Sequence, residues 1–305
     1  MAAPLNTRFA PLPNRQAAAE RITTPPQSFI SDAWRRFKAN RTALFGLALL
    51  VIFFLLAFVG PYLSSHSYAD QVLKMNNKPP SSEYWLGTDA NGRDLLVRIM
   101  IGGRISLAVA FFAALLQLGV GVIYGATAGL MGGRVDNLMM RIVDIIDTIP
   151  LTIYVILLAV VLTPGLTSIF LAIGMVYWTS MARLVRAQVL SLKEQEFMLA
   201  ARALGASRWR LVVRHLVPNA MAPIIVELTF SIPRAIFTEA FLSFIGLGVS
   251  APMASWGVLA SDGFKGLRSY PWQLAFPAAA IILTTLAFNF VGDGLRDALD
   301  PKLRK

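Results

Sequence analysis

Long stretches without a charged side chain dominate the pattern of this chain. Four stretches contain no Asp, Glu, Lys or Arg: residues 43–63, 105–133, 148–182 and 269–292. A helix crosses the hydrocarbon core of a bilayer with roughly 20 mostly apolar residues. The first, second and fourth stretches therefore predict one membrane-spanning helix each.

The third stretch is too long for one crossing. It contains the pair Pro164 and Gly165, which is a turn signal between two apolar segments. The stretch, extended slightly toward the N-terminus, therefore predicts two helices, at about 143–162 and 167–182.

A weaker apolar segment at about 221–246 predicts the sixth span. It carries Glu227, Arg234 and Glu239 among its apolar residues, and Glu227 and Arg234 are spaced so that they share one helix face. The apolar runs are at least twice the roughly 10-residue alternation of an outer-membrane strand. The pattern therefore predicts an all-α integral membrane protein with six spans.

The composition agrees with this class. The chain has 305 residues, of which 56% are hydrophobic and only 15% are charged, whereas an average globular domain is about a quarter charged. Such hydrophobicity excludes a disordered chain. The absence of Cys and the presence of only two His leave little for a zinc or iron–sulfur site, so no metal is expected.

The net charge of +11 is distributed unevenly between the two sides of the membrane that six spans would define. Segments that six spans put on one side hold 20 of the 28 Lys and Arg residues, and segments on the other side hold 7. The segments 1–42 and 183–218 hold seven each. Since cytoplasmic loops carry the excess of Lys and Arg, both termini are predicted to be cytoplasmic. The charge is thus a topology signal, and no nucleic-acid partner is expected.

The predicted organisation has four parts. Residues 1–42 form a cytoplasmic tail with an interfacial helix before the first span, which occupies 43–63. Residues 64–104 form an extracytoplasmic segment. Residues 105–305 form a five-helix core, and within it lies the cytoplasmic loop 183–218.

That loop predicts a helix–glycine–helix projection. Alanines favour a first helix, Gly205 is a candidate bend, and Ser207 is a candidate N-cap of a second short helix from Arg208, which Pro218 would break. Ala200 and Ala201 add small side chains that let another backbone approach closely. Two interpretations stay open: a loop packed on its own bundle, and a docking element for a cytoplasmic partner.

Charged residues inside the predicted spans are the other functional candidates, because charges in a bilayer are costly unless they are paired or face a polar path. They are Asp144, Asp147, Glu227, Arg234 and Glu239. Asp144 and Asp147 share a helix face and could pair with Arg141 or Arg183. Structural pairing and a polar translocation path both remain open.

Sequence motifs of catalysis are missing. The chain has no G-x-x-x-x-G-K-[ST] phosphate loop, no H-E-x-x-H and no G-x-S-x-G. The residues alone therefore predict a transporter subunit, a channel subunit or an assembly factor. An ATP-independent channel or a proton-coupled carrier is the competing class, and a membrane enzyme comes third.

The loop also resembles the cytoplasmic motif E-A-A-x-x-x-G-x(9)-I-x-L-P of ABC importer permeases. Ala200, Ala201, Gly205 and Pro218 stand at the matching positions. Three positions depart from the motif: they are Leu199 in place of Glu, His215 in place of Ile, and Val217 in place of Leu. Glu196 is the candidate for the displaced negative charge.

Further segments resemble the oligopeptide/dipeptide permease family of ABC importers. They are 86–94 (LGTD-x-x-GRD), 135–141 (VDN-x-x-MR), 241–248 (FLSFIGLG), 255–257 (SWG) and 288–301 (FNF-x-GDGLRD-x-LDP). The resemblance covers about 31–305 and is strongest to the C-type permease of oligopeptide importers. It implies the type I ABC importer permease fold in a bacterial cytoplasmic membrane.

The resemblance also implies partners. They are a homologous second permease, two cytoplasmic ATPases that hold ATP and Mg, and an extracytoplasmic peptide-binding protein. This chain would form half of the path for oligopeptides, bind no cofactor itself and catalyse no reaction. Dipeptide, glutathione and nickel permeases of the same family are the alternatives.

The resemblance assigns roles to two groups of residues. The group expected to couple to the ATPases is Glu196, Leu199, Ala200, Ala201, Gly205, Arg208 and Pro218. Trp256 and Asp262 are candidate contacts of the binding protein, although Trp256 also fits an anchor at the membrane interface.

Overall fold

The chain is helical wherever its structure is described. A computed structural model describes residues 29–249 and 252–300. Within these ranges all regular elements are helices, apart from an isolated β-bridge between Thr88 and Asp94. Most of the predicted N-terminal tail, residues 1–28, lies outside the described residues.

The eleven helices of at least eight residues in the described ranges are numbered here in chain order. They are α1 (Phe29–Ala39), α2 (Arg41–Phe58), α3 (Leu95–Met131), α4 (Gly133–Thr148), α5 (Leu151–Val161), α6 (Leu166–Leu192), α7 (Glu196–Ala203), α8 (208–219), α9 (Met221–Leu247), α10 (Trp256–Lys265) and α11 (Trp272–Leu299). Single turns occur at Gly60–Leu63 and Leu73–Met75.

Six spans fit these helices. By length and composition, α2, α3, α6, α9 and α11 can each cross a membrane, and α4 with α5 passes as a sixth span that is bent by 77°. The prediction of one continuous helix at 143–162 is therefore wrong. Ile149 is extended (φ −86°, ψ 121°) because Pro150 follows it, and a proline disfavours helical geometry in the residue before it.

The second span begins earlier than its predicted start at residue 105. Asp94 caps α3, since its carboxylate accepts hydrogen bonds from the backbone N–H groups of Leu96 (2.8 Å) and Val97 (3.4 Å). Residues 95–104 of the segment predicted as extracytoplasmic, 64–104, are therefore helical and belong to the first turns of α3. Arg104, inside the helix, donates from Nε to the carbonyl of Ala57 (2.6 Å), where α2 ends.

Small residues bring the spans together. Gly121, Gly125 and Gly129 repeat every four residues along α3 and face α6. A Cβ built on Gly121 would lie 2.7 Å from the carbonyl oxygen of Trp178, so a side chain at this position would force the helices apart. The α3–α6 contact therefore depends on the absence of side chains on this stripe.

The two ends of the bundle differ. At one end α7 and α8 project beyond the spans. At the other end the segment 64–94 meets the start of α11, where the Gln273 side-chain amide donates to Asn77 Oδ1 and to the carbonyl of Thr88, each at 2.9 Å. The candidate functional residues from the sequence lie at both ends of the bundle and within the spans between them.

Candidate functional site

Helix α7 has a buried side and an exposed side. Met198 and Ala201 are buried in an apolar cluster with side chains of α3, α6 and α8, whereas Leu199 is 56% exposed and Ala200 is exposed. Ala201, which was predicted to belong to the ATPase-coupling group, has its side chain on the bundle side, so any direct contact with a partner falls to its neighbours. Ala200 is the alanine on the free side.

Gly205 ends α7 with a left-handed residue. Its φ is +78°, its N–H donates to the carbonyl of Arg202 (2.9 Å), and the N–H of Ala206 donates to the carbonyl of Ala201 (3.1 Å). This bond pair is the Schellman motif. No atom outside its neighbours lies within 4 Å of a Cβ built on Gly205, so the requirement for glycine is purely conformational.

Helix α8 starts as predicted and ends later. Ser207 caps it, because its Oγ accepts from the N–H of Arg210 (3.3 Å). The helix was expected to break before Pro218, but it continues to Asn219 through a π-helical segment at Leu211–Leu216. A proline is tolerated there because Pro218 begins the final turn, where its missing N–H matters least.

The exposed side of this projection combines apolar and cationic side chains. The predicted residues Glu196, Leu199, Ala200 and Arg208 all lie there. Sequence reasoning missed Leu204, which is 88% exposed, and Trp209, which is 63% exposed. Large apolar residues in a charged loop outside the spans were the available signal, because such exposed groups mark interaction surfaces. We call Leu199, Ala200, Leu204, Arg208 and Trp209 the docking ridge.

Polar contacts attach this projection to the spans. Lys193 donates from Nζ to the carbonyl of Gly129 on α3 (3.3 Å). Arg186 on α6 binds the buried carboxylate of Asp136 on α4 with two nitrogens, and Nη2 lies 2.7 Å from Oδ2. The Lys193 bond and the apolar cluster behind Met198 hold the projection on the spans, and the Arg186–Asp136 pair joins α6 to α4 beneath it.

Asp144 and Asp147 have one partner in common. Arg183 of α6 lies 3.1 Å from the Asp144 carboxylate and 2.8 Å from that of Asp147. Thr179 also donates to Asp147 Oδ1 at 2.6 Å. Of the two predicted partners, the structure therefore selects Arg183 over Arg141, and it assigns these aspartates to a link between α4 and α6.

Glu227 and Arg234 pair along α9, with 3.0 Å between Arg234 Nη2 and Glu227 Oε1. Arg234 also borders a cavity of about 530 Å³ between α6, α9 and α11. The lining residues are Tyr177, Phe230, Pro233, Arg234, Phe237, Thr238, Thr285 and Asn289. Arg234 thus makes the predicted pair with Glu227 and also borders this cavity, whose other lining residues are mostly apolar.

Glu239 is fully buried and joins two spans. Ser106 of α3 donates to Oε2 and Ser243 donates to Oε1, both at 2.7 Å. Ser106 in turn accepts from the backbone N–H of Trp256 on α10 (3.4 Å). The Glu239 carboxylate is thus a structural junction, and it does not line the cavity beside Arg234.

The two candidate contacts of a binding protein separate in the fold. Trp256 is 1% exposed, its ring packs edge-on against Phe53, and its Nε1 donates to the carbonyl of Ile99 (2.9 Å). Trp256 therefore offers no surface to a binding protein in this structure, and its ring fills the bundle instead of anchoring at the membrane interface. Asp262, one and a half turns further along α10, is exposed and pairs with Lys265 at 3.1 Å.

Two protein-family models match this chain. Residues 121–305 match the family of the binding-protein-dependent transport system inner membrane component, and residues 28–80 match the N-terminal transmembrane domain of oligopeptide transport permease C. The first match covers more than half of the chain. The chain belongs to this transport-permease family.

Curated relatives align with this permease over nearly its whole length. It is 50% identical to the oligopeptide transport system permease protein OppC of Bacillus subtilis, with 97% of each chain covered. It is 49% identical to the dipeptide transport system permease protein DppC of the same organism, covering 96% of this chain and 91% of the relative. The Escherichia coli K12 OppC is 46% identical, with 94% and 95% covered.

The fold of this permease is that of ABC importers. An inward-facing structure of the MetNI methionine ABC transporter superimposes with a TM-score of 0.55, covering 67% of this chain and 96% of that chain at 19% identity. The type I importer permease fold expected from the sequence is thereby confirmed. The chain is a multi-pass inner-membrane permease related to those for oligopeptides and dipeptides.

Proposed function

We propose that this permease forms half of the path of an ATP-driven importer for oligopeptides and is moved by ATPases that bind its docking ridge. The observation that carries the proposal is the projection itself. Its ridge is exposed and apolar, its turn is fixed by Gly205, and its back is packed onto three spans. Such a rigid projection converts a push at the ridge into movement of the spans.

Partner subunits complete the importer, and ATP hydrolysis takes place on them. A homologous second permease completes the path, two cytoplasmic ATPases bind ATP and Mg, and an extracytoplasmic protein delivers the peptide. This chain is non-catalytic and holds no cofactor of its own, and its termini are cytoplasmic. Support comes from the relatives in peptide transport and from the seven Lys and Arg residues of the loop 183–218, since Lys and Arg favour the cytoplasmic side.

Transport in vesicles tests the proposal against its competitor. The complete importer in proteoliposomes is expected to accumulate a labelled tetrapeptide only when ATP is present on the side of the docking ridge, because the ATPases supply the driving force. A proton gradient without ATP is expected to give no uptake. Uptake driven by that gradient alone would establish a proton-coupled carrier instead.

The docking ridge makes a second prediction. Trp209→Ala is expected to weaken ATPase binding by about 2 kcal/mol, roughly 30-fold in Kd, because exposed tryptophans are frequent hot spots of interfaces. The Kd of the purified ATPases for the permease pair in nanodiscs, from light scattering or fluorescence titration, measures it.

A matched control is Trp34→Ala. Trp34 is 50% exposed on the basic helix α1, so the same side chain is removed away from the ridge. ATPase affinity is expected to stay unchanged in that variant. Equal losses in both variants would show that a general loss of fold or membrane seating, rather than ridge contact, is responsible.

A further inference from the structure

At the end of the bundle opposite the docking ridge, two arginines share one carboxylate. Arg93 donates from Nε to Asp89 Oδ2 at 2.7 Å, and Arg98 Nη1 donates to the same oxygen. The other oxygen, Oδ1, accepts from the backbone N–H groups of Asn91 (2.8 Å) and Arg93 (2.9 Å). Asp89 is therefore saturated, and it neutralises only one of the two guanidinium groups.

The chain around this cluster is built tightly. Gly92 has a φ of +71°, and a Cβ there would collide with the carbonyl of Val72. Thr88 Oγ1 accepts from the N–H of Lys78 (2.8 Å) and donates to the carbonyl of Met75. The segment thus holds both arginines in place before any ligand arrives, which lowers the entropic cost of binding.

A cavity of about 370 Å³ lies beside the cluster, and we call it the Arg98 cavity. It is bordered by Arg93 and Arg98 on one side and by Asp262 and Lys265 of α10 on the other. Asp262 and Lys265 pair with each other at 3.1 Å. Three cations and two carboxylates therefore surround the cavity, and one positive charge has no counter-ion among them.

Arg98 has an unused donor. Its side chain is 3% exposed, and its Nε has no hydrogen-bond partner within the described residues. A buried guanidinium N–H without an acceptor is costly, so it calls for a group that arrives from outside. The N-terminus of α11 adds to the positive potential, because Pro271 gives it no side-chain cap and Gln273 borders the cavity.

We propose that the Arg98 cavity binds the carboxylate of an acidic side chain presented by the extracytoplasmic binding protein. A carboxylate matches the planar donors of arginine and neutralises the excess charge. The volume admits one side chain with its immediate neighbours, and the rim carries the exposed pair of Asp262 and Lys265. This inference rests on the proposed function, which puts that protein at this end of the bundle.

Charge reversal on the rim tests the inference. The assembled importer in nanodiscs is titrated with its own peptide-loaded binding protein, and the half-saturating concentration for stimulated ATP hydrolysis is measured at low salt. Lys265→Glu is expected to raise this concentration about tenfold, because it places a negative charge where the carboxylate enters. The rise is expected to shrink at high salt, since exposed charges are screened.

Arg268→Glu is the matched control. Arg268 is exposed in the turn that follows α10 but does not border the cavity, so this reversal is expected to leave the half-saturating concentration unchanged. An equal rise in both variants would overturn the inference, because it would reflect the overall potential of this end. A wild-type value for Lys265→Glu would overturn it as well.

Arg98→Lys probes the buried donor directly. Lysine keeps the charge and loses the planar fork, so a smaller rise in the half-saturating concentration is expected than with Lys265→Glu. If this variant does not assemble, Lys265→Glu still decides. A change in the peptide concentration needed at saturating binding protein, with no change in binding-protein affinity, would show that the cavity takes the substrate itself and would refute the proposal.

These outcomes are separate from the test of function. The proposed function fails if the wild-type importer does not couple ATP hydrolysis to peptide uptake. The inference fails if that coupling is normal and Lys265→Glu has the wild-type dependence on the binding protein.

Discussion

Gly205→Pro is expected to abolish peptide-stimulated ATP hydrolysis in the assembled importer while the chain still inserts into the membrane. Proline fixes φ near −65°, whereas Gly205 has φ +78°, and the substitution also removes the N–H that binds the carbonyl of Arg202. The strain and the lost hydrogen bond together cost about 2–4 kcal/mol. The turn would rearrange, and the docking ridge would no longer be presented as one surface.

Two further variants show whether the left-handed backbone conformation or the mere presence of a side chain matters at this position. Asn tolerates left-handed geometry better than other non-glycine residues, so Gly205→Asn should retain most of the stimulated activity. Gly205→Val is β-branched and should resemble the proline variant. Because no atom crowds a Cβ here, wild-type hydrolysis with both valine and proline would show that the turn does not transmit the ATPase motion.

Glu239→Leu is expected to have the second large effect, on stability. The substitution leaves the buried hydroxyls of Ser106 and Ser243 without their acceptor in the middle of the bundle. An unsatisfied buried polar group costs about 1–3 kcal/mol, and the two together make about 2–6 kcal/mol. A clear fall in the melting temperature of the detergent-solubilised permease pair measures the loss.

Glu239→Gln is the control for shape and hydrogen bonding. The amide retains a carbonyl acceptor for one serine, and its NH₂ group can donate to the other serine oxygen after that hydroxyl turns. A melting temperature close to the wild-type value is therefore expected. If Glu239→Leu melts like the wild type, the carboxylate does not hold α3, α9 and α10 together.

Apolar runs were sufficient to predict the number of spans. Two details of the spans were missed, the start of α3 and the bend at Pro150. The start of α3 was missed because Arg98 and Arg104 interrupt the charge-free run. In the fold, Arg98 binds Asp89 and Arg104 binds a carbonyl at the end of α2, so both charges have partners along the first three turns of α3. The bend at Pro150 was missed because the stretch was divided only at the Pro164–Gly165 pair, and Pro150 has no glycine beside it to mark a turn.

The coupling projection could be placed from sequence, but its two sides could not be assigned. Spacing located Ala200, Ala201 and Gly205 correctly in the loop. The buried side of α7 depends on tertiary packing, although Met198 and Ala201, three residues apart, form a weak helical signal for it. Trp256 shows the same limit, because only the folded bundle reveals that its ring lies among the spans.

The way in which α2 attaches to the bundle has a consequence for how the chain is made. Helix α2 packs on α11 through close contacts, since a Cβ on Gly46 would lie 2.7 Å from the carbonyl oxygen of Ala287. Ribosomes deliver α2 well before α11, because translation runs from the N-terminus to the C-terminus. The first span must therefore remain in lipid, without its final neighbour, throughout synthesis of the rest of the chain. Its strongly apolar sequence makes such prolonged exposure to lipid favourable.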